Sequence, residues 1–287
     1  MEKPRSLTTR DGANIAWRTT RPEAPRGTLV LIHGLASNLS RWAELVSSTR
    51  LADSWTLIRI DLRGHGDSLW RGRIGMGEWC ADLAAVLDAE GVSRAVLLGH
   101  CLGANVALHF AGRHPDRVES LVLVEPMFRD ALAGTLARVS RLRAIIQPVI
   151  LMLRALAAIG VHRRRLATLD LEALDRETRK EIARTGAFPE ARYASYFEDL
   201  KAMPTVAYLQ DLLAITEDVP DLEAIGVPTL AILSRGTSLS DPGRTAEHLA
   251  RIRNVEIAHL DAQHWIPTEK PEALREAVET WCESLRG

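Results

Sequence analysis

Six short apolar runs alternate with segments of helical periodicity, and this alternation restricts the fold of the chain more than any other feature of the sequence. Glycines or charged residues bound the runs, which cover 28–32, 56–60, 95–98, 121–124, 229–233 and 255–259. Strands that are buried on both faces have this near-continuous apolar character. The pattern therefore predicts an α/β fold with a mostly parallel central sheet flanked by helices.

The segments between and around these runs predict the remaining elements of the core. Apolar residues at helical spacing predict helices at 41–48, 76–88, 102–113, 245–251 and 271–285. Ahead of the first parallel strand, residues 7–19 predict a hairpin that turns at Asp11-Gly12, because this dipeptide favours the tight turns of hairpins.

The alternation stops at residue 126 and resumes at about residue 221. The intervening segment is rich in leucine and arginine and has helical periodicity, so we expect residues 126–220 to form an inserted helical cap. The α/β core would then comprise residues 1–125 and 221–287. Within the cap, residues 144–161 are strongly apolar but include Gln147, Pro148 and Arg154. We interpret them as an amphipathic cap helix and expect no stable membrane span.

Composition narrows the range of partners. The formal net charge is -1 and the pI is about 6.8, so no strong field attracts phosphate backbones, and we expect no nucleic-acid partner. The three cysteines, Cys80, Cys101 and Cys282, have no pair at metal-ligand or redox-motif spacing, so we predict neither a metal nor a cofactor.

The polar segment 1–12 lacks a secretory signal, and a cytoplasmic location is expected. The oligomeric state does not follow from the sequence.

The run from residue 99 to residue 104, Gly99-His100-Cys101-Leu102-Gly103-Ala104, joins the predicted strand 95–98 to the predicted helix 102–113. A strand that turns sharply into a helix, with glycines two residues on either side of the central residue, is the arrangement of a nucleophile elbow. Isolated cysteines are usually buried and inert, but this context favours a nucleophilic Cys101. The amino terminus of a helix also favours the thiolate over the thiol.

Two further loops supply the predicted partners of this cysteine. His33-Gly34-Leu35 follows the strand 28–32, and the backbone N–H of Leu35 can join that of Leu102 in an oxyanion hole. His264 follows the last predicted strand, where a loop histidine can reach the elbow as a general base. We prefer it to His259, which lies within the strand.

These motifs together resemble the α/β-hydrolase superfamily, and its cap-bearing members in particular, over nearly the whole chain. The resemblance is carried by His33-Gly34, the segment 61–68, the elbow at Cys101, and His264 followed by Glu269 and Pro271. It implies a triad of nucleophile, histidine and acid. Dienelactone hydrolases and polyhydroxyalkanoate synthases resemble this chain in using cysteine, whereas the dehalogenases and epoxide hydrolases of the superfamily use aspartate.

The acid of the triad departs from the commonest family pattern. That pattern places an aspartate after the penultimate strand, where this chain has Ser234 and Thr237. Two candidates remain open. Glu125 ends the strand 121–124, a position that resembles the one used by haloalkane dehalogenases. Asp241 lies later in the chain, but it directly precedes Pro242 and also suits the N-cap of a helix.

A cysteine nucleophile forms a thioester with the acyl group, which favours activated donors such as acyl thioesters and strained lactones. We predict an enzyme that hydrolyses an ester, thioester or lactone with an apolar acyl group, free or bound to coenzyme A or a carrier. The alternatives are an acyltransferase and a non-catalytic binding protein. Residues 145–153 either line an acyl pocket or pack the cap on the core. Residues 162–165 either hold a phosphate or form a solvated basic face.

Overall fold

The computed structural model describes residues 2–237 and 239–286. Eight strands form one sheet in the order β1-β2-β4-β3-β5-β6-β7-β8. They are β1 Lys3–Thr8, β2 Asn14–Thr20, β3 Gly27–Ile32, β4 Trp55–Ile60, β5 Ala95–His100, β6 Val118–Val124, β7 Thr229–Ser234 and β8 Val255–Leu260. β2 pairs antiparallel with β1 and β4, and every other pairing is parallel. The predicted fold class is therefore confirmed.

Helices cover both faces of the sheet and one edge of it. They are α1 Ala43–Ser48, α2 Met76–Ala89, α3 Leu102–Arg113, α4 Gly134–Arg141, α5 Arg143–Ala158, α6 Leu171–Thr185, α7 Glu190–Tyr193, α8 Tyr196–Ala202, α9 Thr205–Ala214, α10 Pro242–Leu249, α11 Ile266–Glu269 and α12 Pro271–Ser284. The predicted helix 245–251 begins three residues earlier, because Asp241 caps it and Pro242 suits its first turn.

Two apolar layers lie on opposite faces of the sheet. Along β3, Val30 and Ile32 belong to the layer beneath α2 and α3, while Leu29 and Leu31 belong to the layer beneath α1 and α12. Successive side chains of a strand point to opposite faces, so a strand that is covered on both sides is apolar at every position. This double burial explains the continuous apolar runs in the sequence.

The parallel strands bring their carboxyl ends to one edge of the sheet. In the parallel register, Ile32 of β3 lies beside Gly99 of β5, and Val124 of β6 lies beside both His100 and Ile232. The loops after β3, β5, β6, β7 and β8 consequently meet at this edge, which is where sites form in open α/β sheets.

Residues 126–220 form the six helices α4 to α9, together with an isolated bridge between Leu132 and Ser240. We propose that this segment is the cap, inserted between the core segments 1–125 and 221–287. Over the described residues, no helix has the combination of length and apolar character that a membrane crossing requires.

Candidate active site

Cys101 occupies the turn between β5 and α3 in a conformation that L-residues rarely adopt, with φ 54° and ψ -117°. Its backbone N–H donates to the carbonyl of Val124 at 2.9 Å, which fixes the turn to the neighbouring strand. The residue is only 6% exposed, and it lines a cavity of about 1060 Å³. A strained backbone that is held by its surroundings is typical of functional turns.

The glycines on either side of Cys101 are required by close approach of the backbone. A Cβ atom added to Gly99 would lie 2.2 Å from the carbonyl oxygen of Gly103, and one added to Gly103 would lie 2.3 Å from that of Ile32. Both contacts are with backbone atoms, so neither can be relieved by rotating a side chain. The spacing seen in the sequence therefore has a steric cause.

We expect Gly103→Ala to lower the free energy of unfolding by at least about 2 kcal/mol, because the added methyl group overpacks the junction of α3 with β3. Chemical denaturation followed by circular dichroism measures the change. Gly77→Ala is the matched control, since a Cβ atom there meets nothing within 4 Å, and its effect should stay below about 1 kcal/mol. Equal stability of the two variants would contradict the steric explanation.

His264 and Glu125 meet beside Cys101. His264 lies in the loop after β8, and its Nδ1 is 3.1 Å from Oε2 of Glu125, both side chains being almost completely buried. Burial alone would lower the pKa of His264. The charge of the Cys101 thiolate, a hydrogen bond to it, and the Glu125 carboxylate together outweigh burial and raise that pKa to about 10. These neighbours therefore favour the charged form of the imidazole.

Glu125 follows β6 directly and has a φ of 53°. Its Oε1 accepts a hydrogen bond from the backbone N–H of Ser234 at 2.5 Å, and its Oε2 accepts one from the Ser234 hydroxyl at 3.1 Å. The carboxylate is thus positioned by the end of β7. Ser234 occupies one of the places where the family pattern would put its own acid, and here it supports a carboxylate from the neighbouring strand.

Asp241 lies outside this cluster. Its side chain accepts from the backbone N–H groups of Gly243 and Arg244, at 2.9 and 3.1 Å, and so caps α10. It does not line the cavity that contains Cys101. Of the two candidate acids, the structure brings Glu125 to the histidine and uses Asp241 to begin a helix.

The loop after β3 faces the elbow at close range. A Cβ atom on Gly34 would lie 3.2 Å from the Cβ of Cys101. His33 fixes this loop, because its Nδ1 donates to the Gly34 carbonyl at 2.8 Å and its Nε2 accepts from the N–H of Leu62 at 3.0 Å. Within the described residues, the backbone N–H groups of Leu35 and Leu102 donate to no other group, so both are available to an oxyanion.

Sequence reasoning missed the part that His100 plays at the site. Its Nε2 donates to the backbone carbonyl of His264 at 3.1 Å, and the centroids of the two rings are 5.1 Å apart. His100 immediately precedes Cys101, so this bond fastens the loop that carries His264 to the elbow. Its place beside the nucleophile is the only signal of this in the sequence, because the partner is 164 residues away.

A cavity of about 1060 Å³ opens above the cluster. Most of its lining is apolar and comes from the cap, with the side chains Leu136, Val139, Leu171, Leu174, Tyr208, Leu209 and Leu212. The hypothesis that residues 145–153 line the pocket is wrong. Ile150 packs against α9, while several of its neighbours on α5 face outward, because the inner face of the helix is already used to hold the cap together.

A buried cation connects the cap to the core at the wall of this cavity. Nη1 of Arg41 donates to the Asp175 carboxylate of α6 and to the hydroxyl of Thr268, each at 2.6 Å. The guanidinium also lies over the ring of Tyr193, 5.5 Å from its centroid.

Residues 162–165 are exposed and do not line the cavity. No group of three His, Cys, Asp or Glu side chains within the described ranges could hold a metal ion.

A nucleophile elbow, a histidine and a carboxylate at the carboxyl edge of a mostly parallel sheet define the architecture of the α/β hydrolases. The family model described as "alpha/beta hydrolase fold" matches residues 27–271. The chain belongs to this family.

The relatives agree with this assignment. The chain is 30% identical to "Lipase LipV" of Mycobacterium tuberculosis over 266 residues, which cover 87% of this chain and 90% of that protein. It is 36% identical to the "Pimeloyl-[acyl-carrier protein] methyl ester esterase" of Neisseria meningitidis over 112 residues, or 39% of this chain and 41% of that protein.

Solved structures show the same fold. A thermophilic esterase from Thermogutta terrifontis superposes with a TM-score of 0.70 at 21% identity, covering 99% of this chain and 100% of the other. The enol-lactonase from Burkholderia xenovorans gives a TM-score of 0.68 at 19% identity, with coverage of 97% and 100%.

Proposed function

We propose that the protein hydrolyses a carboxylic ester, thioester or lactone with an apolar acyl group, through an acyl-enzyme on Cys101. The observation that carries the proposal is the array of Cys101, His264 and Glu125 at the base of an apolar cavity, with the 3.1 Å contact between His264 and Glu125. The full-length similarity to a lipase and the structural likeness to an esterase support ester-type chemistry.

The proposed reaction begins with attack of the Cys101 sulfur on the substrate carbonyl carbon. The carbonyl oxygen becomes an oxyanion that accepts hydrogen bonds from the N–H groups of Leu35 and Leu102. As this intermediate collapses, the bond to the leaving group breaks, and His264 gives its proton to that group. His264 then removes a proton from water, and the water oxygen attacks the thioester carbonyl carbon. As this second intermediate collapses, the C–S bond breaks, which releases the carboxylic acid and restores the Cys101 thiolate beside protonated His264.

Glu125 acts on the histidine and does not touch the substrate. Its negative charge stabilises the imidazolium, and its contact with Nδ1 directs the other ring nitrogen toward the sulfur. Because Ser234 donates twice to this carboxylate, Glu125 holds one orientation in the site. In our proposal Glu125, and not Asp241, is the acid of the triad.

Cysteine chemistry and the cavity lining together favour a class of substrate. An acyl group moves from a thioester to Cys101 at little cost in free energy, whereas transfer from a plain oxygen ester is uphill, so activated donors react more readily. The apolar lining from α4, α6 and α9 favours an alkyl or similar acyl group. A donor bound to coenzyme A or a carrier, and a cytoplasmic location, stay predictions.

Intact-protein mass spectrometry tests the proposal with a panel of acyl thioesters, lactones and aryl esters. We expect a transient mass gain equal to the acyl group, located on Cys101 by peptide mapping and lost as free acid in water. Cys101→Ala should gain nothing. Persistence of the acyl-enzyme until an alcohol or amine is added would favour an acyltransferase. No acylation by any donor, with unchanged ligand affinity in Cys101→Ala, would indicate a binding protein and contradict the proposal.

A further inference from the structure

The outer face of α5 carries an apolar stripe that no other part of the described chain covers. Exposed side chains recur every three or four residues along it, which places them on one side of the helix. Ile145, Met152 and Ile159 are 66%, 54% and 75% exposed, and Leu142 and Val149 lie on the same stripe. Side chains of this size are rarely exposed in such a continuous row unless they meet something apolar.

The opposite face of α5 is already packed against another helix. Ile150 is buried, and Ile146 and Leu153 are half-buried against Val206 and Leu213 of α9. The stripe is therefore additional to the contacts that hold the cap together. It could be removed from the surface without loss of this packing, which makes it a candidate for contact with another body.

The chain segment that carries the stripe has charged side chains of one sign. Residues 131–169 contain seven arginines and no lysine, aspartate or glutamate. Arg143 pairs with Glu217 at 3.0 Å. Five exposed arginines of the segment have no acidic side chain within ion-pair distance in the described parts of the chain, and they are Arg138, Arg141, Arg163, Arg164 and Arg165. The whole chain has a net charge of -1, so this positive charge is local.

We propose that this docking face, made of the α5 stripe and the arginines of residues 131–169, lies on an anionic lipid surface. A helix with an apolar face and flanking arginines suits the boundary between lipid headgroups and acyl chains, where apolar burial and attraction to acidic headgroups add together. A second copy of the chain would bring the same arginines against one another, so self-association through this face is electrostatically unfavourable.

The docking face is connected to the wall of the active-site cavity. The chain runs from exposed Val161 through the arginines at 163–165 and lines the cavity from Ala167 to Leu171. Arg163 fastens this segment to the end of α8, because its Nη2 donates to the carbonyl of Met203 at 3.0 Å. Tyr196 on α8 both lines the cavity and is half exposed. Docking would therefore hold one wall of the cavity at the lipid surface.

Flotation of the full chain with phosphatidylcholine vesicles, with and without phosphatidylglycerol, tests this inference without any enzyme assay. We expect binding to the anionic vesicles and weakening of that binding by salt. Ile145→Ser/Met152→Ser and, separately, Arg164→Glu/Arg165→Glu should each weaken it by at least about tenfold. None of these four side chains lines the cavity, so acylation of Cys101 should be unchanged.

Arg10→Glu/Arg253→Glu is the control with the same change of charge on exposed arginines outside the docking face, and it should bind vesicles like the unaltered chain. Circular dichroism confirms that each variant is folded. Failure of the unaltered chain to bind anionic vesicles, or equal binding to neutral ones, would overturn the inference. A dimer of the unaltered chain would also overturn the inference, if light scattering detects it and shows that Ile145→Ser/Met152→Ser dissociates it. A second copy of the chain would then cover the stripe.

Discussion

Replacing Cys101 with alanine is expected to lower kcat/KM by about 10⁴-fold or more, because removal of the nucleophile leaves only binding and the oxyanion hole to assist the reaction. The fold should persist, since the side chain is small and the turn is held by the glycines and by the bond to Val124. Steady-state hydrolysis of the best donor from the acylation panel measures the effect.

The other two cysteines provide matched controls for this prediction. Cys80 and Cys282 are both buried, and burial raises the pKa of their thiols to about 11 and about 12. Neither side chain lines the cavity. Cys80→Ala and Cys282→Ala should therefore keep nearly full turnover. Loss of activity in either control, or near-normal turnover in Cys101→Ala, would exclude Cys101 as the nucleophile.

Glu125→Gln should give the second largest effect, a fall in kcat of about 10²- to 10⁴-fold. The amide keeps the volume of the side chain but loses the charge that helps to raise the pKa of His264. That pKa should fall, so that less of the imidazole is charged at neutral pH. Titration of His264 by NMR of the histidine-labelled protein measures this shift separately from turnover.

Asp241→Asn is the comparison variant for the acid. Asparagine can still cap α10, so stability and turnover should change little. A substitution that only disturbed the packing of the site would lower kcat and leave the pKa of His264 unchanged. Loss of the charge of Glu125 changes both kcat and that pKa. Full activity in Glu125→Gln combined with loss in Asp241→Asn would reverse our assignment of the acid.

Short-range features of the sequence predicted the core correctly. Each buried strand is predicted from its own apolar side chains. The elbow is predicted from glycines that lie within two residues of Cys101. These signals are local, because the steric contact between Gly99 and Gly103 involves residues that are neighbours along the chain. The predicted hairpin also depends on a local turn, and it appears as the pairing of Leu7 with Ile15.

Short-range features of the sequence could not predict the geometry around His264 or the lining of the cavity. Glu125 and Asp241 were both open candidates in the sequence. Their difference lies in contacts of Glu125 with Ser234 and His264, which are more than a hundred residues away from it. The role of residues 145–153 stayed open between pocket lining and packing for the same reason. A helix such as α5 has two apolar faces in its sequence, and only the position of α9 decides which one is buried.

The sequence by itself determined the class of fold, the cysteine at the strand-to-helix turn, and the positive charge of residues 131–169. These features depend on backbone sterics, on the spacing of apolar side chains along the chain and on composition, all of which act over a few neighbouring residues. Only the tertiary structure decided which carboxylate meets His264, which helices line the cavity, and which face of α5 stays exposed. Each of these depends on packing between segments that are distant in the chain, which no local pattern encodes.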